Sequence, residues 1–289
     1  MFFQLLINGV ITGSVYAIAA LGFAMVYNTT RIFHIAYSVL YVFAAYMVLT
    51  FYKNLQWPLG ISLLMAVALT VFLSVIIEIM VYKPLLFRKS SLSVMMISSI
   101  GVMIMVINLI ALFYGNETKI IHSQISSSIK VGRLILTNTQ MIQFVISFAL
   151  IIIFLLFLKS SQFGIKTRAM RDDPDLCEVF SLDIPRLRIE LFALSGFFAA
   201  VSGILVAYDV GMDPYVGMPM LLNAVVALII GGIGNFKAPI VGGFIIGILQ
   251  ALSIWFISAN WQDAVAFTLL IFFLLFRPQG LFGERRRLV

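Results

Sequence analysis

Residues 91–114 read SLSVMMISSIGVMIMVINLIALFY, an apolar run without a single Asp, Glu, Lys or Arg. A helix rises about 1.5 Å per residue, so a run of this length covers the roughly 30 Å hydrocarbon core of a bilayer. Similar runs extend from Phe2 to Tyr27, Ile32 to Tyr52, Pro58 to Tyr82, Met141 to Leu158, Ile189 to Tyr208, Met218 to Gly234, Ala238 to Ile257 and Trp261 to Phe276. They are too long for barrel strands and do not alternate apolar with polar, so helices are the reading. The whole chain is 62% hydrophobic and 11% charged, against about 25% charged in a soluble domain. Lipid must therefore be the solvent for much of its surface. The expectation is an all-α polytopic membrane protein of about nine transmembrane helices, forming one transmembrane domain over residues 1–289.

Sidedness follows from the basic residues. With the C-terminus and its Arg285-Arg286-Arg287 run in the cytoplasm, nine alternating spans place the N-terminus outside. They also leave only Lys53, Lys119, Lys130 and Arg133 of the 19 basic residues outside. That bias is the positive-inside pattern. It makes residues 115–140 an external loop and residues 159–188 a cytoplasmic one. The net charge of +7 is then the charge of membrane-flanking loops rather than a nucleic-acid footprint. The start of the chain shows neither a basic n-region nor a cleavage site, so no cleaved signal peptide is expected.

Charged groups at membrane depth are costly and usually mark proton relays or ion sites. Here Glu78, Glu190 and Asp263 sit at span ends, and the midplanes are expected to be free of charge. HExxH and GxSxG motifs and a paired-Asp site are all absent, which argues against a membrane hydrolase. Without a GxxxxGK[ST] loop, any energy for transport has to come from another subunit. The single Cys177 provides neither a disulfide framework nor a CxxC metal site.

Polar residues inside spans are the candidates for a translocation pathway: Asn8, Tyr16, His34 and Asn223. Interhelical hydrogen bonding is the ordinary role of such amides, and Asn108 and Gln250 fit it equally. A histidine near a helix end usually bonds a carbonyl or water; His34 is expected near the cytoplasmic end of the second span. Asn223 lies on a short, glycine-terminated segment of the kind that borders transport paths. Small residues at spacings of three and four, Gly9-Gly13-Ala17 and Ser195-Ala199-Ser202-Gly203, indicate close helix packing.

The cytoplasmic loop carries Thr167-Arg168-Ala169-Met170-Arg171-Asp172-Asp173-Pro174, then Asp175 to Phe180, Ser181, Leu182, Asp183, Ile184 and Pro185. Asp172, Asp173 or Pro174 can start a short helix, and Pro185 is expected to end it. Leu176, Val179 and Phe180 share a face. An interfacial helix on lipid is one reading. The acidic Asp172, Asp173, Asp175, Glu178 and Asp183 would be repelled by an anionic leaflet, so a protein partner fits better.

This loop resembles the coupling segment of the branched-chain amino acid permeases of ATP-binding-cassette importers. In that family this segment docks into the ATPase subunit. The matching positions are Arg168, Ala169, Arg171, Asp172, Cys177, Glu178, Ser181 and Leu182. The stretch from Gly13 to Gly22 with Met25-Val26-Tyr27 is similar to the family's opening helix. Gly231-Gly232-Ile233-Gly234 with Pro239 and Gly242-Gly243 also matches, as does Phe276-Arg277-Pro278-Gln279-Gly280-Leu281-Phe282-Gly283. Departures are Phe33-His34-Ile35-Ala36-Tyr37-Ser38 in place of I-N-F-A-H-G, Cys177 for alanine and Ser181 for glycine.

The resemblance implies a permease subunit forming half of a pathway for branched-chain amino acids or a similar small neutral solute, in a bacterial or archaeal cytoplasmic membrane. Arg168, Arg171, Asp172, Leu176, Glu178, Val179, Phe180 and Ser181 would couple it to the ATPase. The chain would bind no cofactor, with ATP and magnesium on cytoplasmic ATPase subunits. A second permease chain, an external solute-binding protein and membrane lipid would be its partners. A stand-alone channel or facilitator for a small neutral solute explains the uncharged spans as well, but leaves the acidic loop helix without a purpose.

Overall fold

The computed structural model describes residues 2–121, 128–131 and 134–283. Its elements, in chain order, are α1 (Phe2–Thr30), α2 (Tyr37–Leu49), α3 (Leu59–Ile77), α4 (Lys83–Phe87) and α5 (Leu92–Tyr114), then β1 (Ser128–Val131) and β2 (Leu134–Thr137). There follow α6 (Asn138–Ser160), α7 (Gln162–Asp172), α8 (Pro174–Val179), α9 (Ile184–Val210), α10 (Gly217–Gly231), α11 (Ala238–Ser253) and α12 (Gln262–Phe276). A widened π turn, Glu78–Tyr82, joins α3 to α4 without a break. Such turns arise where one residue is accommodated without ending the helix.

Six helical runs among the described residues are long and apolar enough to cross a membrane: Phe2–Thr30, Leu59–Phe87, Leu92–Tyr114, Asn138–Ser160, Ile184–Val210 and Ala259–Phe276. The other three expected spans contain shorter helices. Helix α2 has 13 residues and is extended by the π turn Thr50–Asn54, whereas α10 has 15 and α11 has 16. At about 1.5 Å per residue, α10 is roughly 22 Å long, less than a full hydrocarbon core. Glycines and a proline set these limits: Gly232 (φ +124°) and Gly234 (φ +97°) close α10, and Pro239 opens α11.

Helices alone do not account for the chain. Strands β1 and β2 pair antiparallel within the expected external loop, Ser128 opposite Thr137 and Val131 opposite Leu134. The Gln4 side chain satisfies an edge residue of this hairpin on both sides. Its Nε2 donates to the Ile135 carbonyl at 2.7 Å, and the Ile135 N–H donates to its Oε1 at 3.0 Å.

The elements group into two compact units whose segments interleave along the chain. One comprises Met1–Ala24, His122–Ile153 and Pro219–Val289; the other comprises Met25–Ile121 and Phe154–Met218. In the first, α1 meets α11 through glycines on both helices. A Cβ added to Gly247 would stand 2.3 Å from the Gly13 Cα, and one on Gly243 would stand 2.5 Å from the Ala17 nitrogen. Only hydrogen at those positions lets the two backbones approach so closely. The chain after α12 returns to the end of α10. Leu281 N–H donates to the Ile230 carbonyl at 2.9 Å, and Phe282 N–H to the Gly231 carbonyl at 2.8 Å. The two glycine-rich motifs that stand far apart in sequence are thus one structural feature.

In the second unit α9 packs on α2 and α3, and α5 lies against α2. The small residues of α9 make these contacts. A Cβ at Gly203 would stand 2.1 Å from the Tyr41 carbonyl oxygen, and one at Gly196 would stand 2.6 Å from the Ser74 Cβ. Ser74 Oγ donates across to the Phe192 carbonyl at 2.6 Å. Lys119 and Met212 exchange backbone hydrogen bonds of 2.8 and 2.9 Å, tying the chain after α5 to the chain after α9.

Candidate functional site

The cytoplasmic loop is mostly helical. Ser161 caps α7, its Oγ accepting from Gly164 N at 3.1 Å. Asp173 then caps α8, its Oδ1 accepting from Leu176 N at 3.0 Å. The short helix therefore begins at Pro174, within the expected range, but Pro185 does not end it. Helix α8 stops at Val179, and Pro185 stands in the first turn of α9, where its missing N–H costs nothing. Asp183 caps that helix by accepting from Arg186 N at 3.0 Å. The boundary expected near residue 188 thus moves to 183, and Arg186 and Arg188 become helical.

Ser181 supplies the stop. Leu182 N–H donates to the Cys177 carbonyl and Ser181 N–H to the Glu178 carbonyl, both at 3.0 Å, with Ser181 at φ +57°. This is a Schellman closure, in which the left-handed residue is most often glycine because a Cβ is disfavoured there by about 1–2 kcal/mol. Ser181→Gly relieves that strain and adds unfolded-chain entropy, so its net effect is expected between zero and about 0.5 kcal/mol of stabilisation. Ser181→Val should instead destabilise by about 1–2 kcal/mol. Thermal melts of the two purified variants check the ordering, and a Val variant as stable as the Gly variant would contradict it.

The loop exposes the apolar side chains that share a face: Leu176, Val179 and Phe180 are 53, 76 and 77% exposed. Beneath them Thr167, Met170 and Cys177 are buried. Burial, and then the Asp173 and Asp172 carboxylates, push the Cys177 thiol up from its ordinary value, which keeps it in the unreactive thiol form. Glu178 is exposed. Two of the loop's arginines are held by neighbouring groups. Arg168 Nη1 donates to the Leu158 carbonyl at 3.2 Å, and Arg171 pairs with its neighbour Asp172 at 2.7 Å. The loop thus presents an apolar tip next to acidic groups.

Next to this loop is an ion pair that sequence reasoning missed. Arg188, in the second turn of α9, meets Glu78 in the π turn after α3. Its Nε donates to Oε1 at 2.6 Å and its Nη2 to Oε2 at 3.1 Å, with both residues under 5% exposed. The spans are therefore not free of buried charge. A glutamate at the edge of an apolar run was a visible signal, but its partner lies 110 residues away.

His34 is also placed differently. It lies in the non-helical link between α1 and α2 rather than within a span helix, and it is fully buried. Its Nδ1 lies 2.8 Å from the Tyr82 hydroxyl, and that hydroxyl lies 2.7 Å from Ser99 Oγ, which accepts from Ala36 N at 2.8 Å. This chain of bonds holds the entry to α2 against the π turn and α5.

The remaining pathway candidates fall in the other unit. Asn8 Oδ1 accepts from Gln4 Nε2 at 3.3 Å. Asn223, on α10, is buried and its Oδ1 accepts from Gln250 Nε2 at 3.1 Å. It lines a small cavity with Leu222, Val226, Phe267 and Asp263. Tyr16 lies within electrostatic range of that same Asp263 carboxylate. Asn223 and Tyr16 are thus associated through a residue the sequence had placed merely at a span end. Asn108, in contrast, only donates to the Ile104 carbonyl of its own helix. Among the described residues no cluster of His, Cys, Asp or Glu could hold a metal ion.

Comparison with known proteins agrees with this architecture. The chain is 29% identical to the high-affinity branched-chain amino acid transport system permease protein LivH of Escherichia coli (strain K12), covering 98% of this chain and 96% of that protein. It is 27% identical, over the same shares, to the permease protein BraD of the corresponding system of Pseudomonas aeruginosa. Among solved structures, PsaBC from Streptococcus pneumoniae in complex with Fab superposes with a TM-score of 0.53 at 14% identity, over 96% of this chain and 93% of that one. That likeness is one of fold. The sequence profile of the branched-chain amino acid transport system permease component matches residues 5–274, and the chain belongs to that family.

Proposed function

We propose that this chain is the membrane-spanning permease subunit of an ATP-binding-cassette importer for branched-chain amino acids, forming half of the translocation pathway. ATP and magnesium act on cytoplasmic ATPase subunits, and an external binding protein delivers the solute to this chain and a second permease. The observation that carries the reading is the capped α8 with Leu176, Val179 and Phe180 exposed beside acidic groups, in a member of this permease family. A groove on an ATPase would bury those side chains. Nucleotide-driven closure can bias the permease only through contacts that differ between its inward- and outward-facing states.

Nine crossings, with the N-terminus outside, fit the distribution of basic residues. The short α2, α10 and α11 would cross together with their flanking turns. Single cysteines at Ser128 and Ser160, in a Cys177→Ser background, are expected to react with an impermeant thiol reagent from opposite sides. Labelling of both from one side would remove the nine-span arrangement.

The function is tested by reconstitution. Proteoliposomes containing this chain, its co-purifying subunits and the binding protein should accumulate L-leucine against a gradient only with ATP inside the ATPase compartment. This chain alone should accumulate none. Uphill uptake by the chain alone would make it a secondary carrier.

A further inference from the structure

We infer that the face of α1 bearing Asn8, Thr12 and Tyr16 lines a water-filled path through the membrane, with Thr12 in its wall inside the hydrocarbon core. The inference rests on the function proposed above and names the surface of this chain that the moving solute meets.

Helix α1 is the most enclosed of the six long spans among the described residues, 83% of its apolar stretch being buried. From Ile11 to Val26 every residue is buried except Thr12, which is exposed, and Tyr16, which is half-buried. Asn8, also half-buried, stands four residues before Thr12. The three therefore follow one another along a single face at steps of about 6 Å. The adjoining face is already occupied, since Gly9, Gly13 and Ala17 are set against α11. With 29 residues α1 is longer than the hydrocarbon core is thick, and Thr12 lies roughly 15 Å from its start, within that core.

The mark of this face is that its donors are unpaired. An outward polar side chain on a lipid-facing helix turns back on its own backbone, because hydrocarbon offers no other partner. Exposed Asn108 donates to the Ile104 carbonyl at 2.7 Å, and exposed Thr268 to the Ala264 carbonyl at 2.8 Å. Buried Thr29 and Thr70 likewise bond the carbonyl four residues back. Thr12 does not. Its hydroxyl makes no hydrogen bond among the described residues, and neither does that of Tyr16. The Asn8 oxygen accepts from Gln4 Nε2 at 3.3 Å. That atom also donates to the Ile135 carbonyl, which can only accept, so it is the amide nitrogen. Asn8 thus keeps an NH2 group that is unbonded among the described residues.

These donors choose between the occupants that could cover the face. Lipid would leave all three without an acceptor. A packed helix would present carbonyls that its own backbone already engages. Such seams are also built on small residues, not on a tyrosine and an asparagine. Water supplies an acceptor to each donor, and so does a polar solute that sheds its own water along the wall. The face carries no charge, so it can pair with a passing solute without holding it, as conduction requires.

Cysteine accessibility is the test. Thr12→Cys is placed in a Cys177→Ser chain, and the assembled transporter with its binding protein is reconstituted in proteoliposomes. A charged, water-soluble methanethiosulfonate should modify Thr12→Cys at least tenfold faster than two controls. These are Met105→Cys, on the exposed side of α5, and Ile11→Cys, which is buried. Asn8→Cys and Tyr16→Cys should react as Thr12→Cys does, so that reactivity repeats every four residues. Modification at Thr12 should lower ATP-driven L-leucine uptake at least fivefold, and saturating L-leucine should slow the modification at least threefold. Reaction of Thr12→Cys no faster than Met105→Cys overturns the inference, the face then meeting lipid or a packed helix. Fast reaction that leaves uptake unchanged, or that L-leucine does not slow, overturns it too, by making the face a crevice apart from the path. The unmodified Cys177→Ser transporter separates the two proposals. If it accumulates L-leucine while the labelling pattern fails, the path is misplaced and the importer function stands. If it accumulates none, the importer function fails, and the labelling rates by themselves decide whether this face meets water.

Discussion

Arg188→Ala is expected to destabilise this protein by about 3–5 kcal/mol, the usual cost of leaving one member of a buried ion pair without its partner. The Glu78 carboxylate would remain almost wholly buried after losing both of its guanidinium bonds. Glu78→Ala should cost a similar amount, because the stranded charge is then the arginine. The informative variant is Glu78→Leu with Arg188→Met, which removes both charges and keeps the volume apolar. Replacing a whole buried pair in this way is often neutral or stabilising, so the double variant should melt close to wild type. Arg188→Lys should fall between, since an ammonium cannot reproduce the two parallel bonds. Melting of the purified chain by circular dichroism gives the order. If Arg188→Ala melts with wild type, the pair is open to water and does not hold α9 on the π turn. Should the double variant fold well yet lose ATP-driven uptake, the charges matter for moving the coupling loop rather than for the fold.

Phe180→Ala should remove the ATPase subunit from this chain while leaving the chain itself intact. Phe180 is 77% exposed, so truncating it takes little packing from the folded chain. At a docked interface, by contrast, a large buried anchor commonly carries at least about 2 kcal/mol. Co-purification of the ATPase and ATP-dependent uptake should therefore fall together, with expression and labelling pattern unchanged. Glu178→Ala should have a smaller effect that shrinks further at high salt, as expected of a rim charge. Intact assembly and uptake in Phe180→Ala would mean that α8 is not the docking element.

The local features of this chain were legible from its residues alone. Apolar runs such as Ser91 to Tyr114 specify helices because length and the absence of charge decide how a segment meets lipid. The start of α8 was legible for the same reason, since Asp173 and Pro174 act on the nearest backbone groups. The clusters of small residues correctly marked close packing, although which helices would meet was not written in them. Gly13 against Gly247 and Gly203 against Tyr41 are matches between distant segments.

Only the tertiary structure decided the rest. Glu78 reads as a span-end carboxylate and Arg188 as a loop cation until the fold brings them together across 110 residues. Pro185 reads equally well as the end of one helix or the first turn of the next; the Asp183 cap resolves it. Arg277 to Gly283 has no periodicity of its own, and its backbone finds partners only at the glycine end of α10. The lengths of α10 and α11 escaped the sequence because apolar content continues past the points where glycine and packing end the helix. Hydrophobicity and helix caps act over a few residues and are therefore written locally. Buried polar partners are chosen among groups far apart in the chain, so they exist only once the backbone has closed around them.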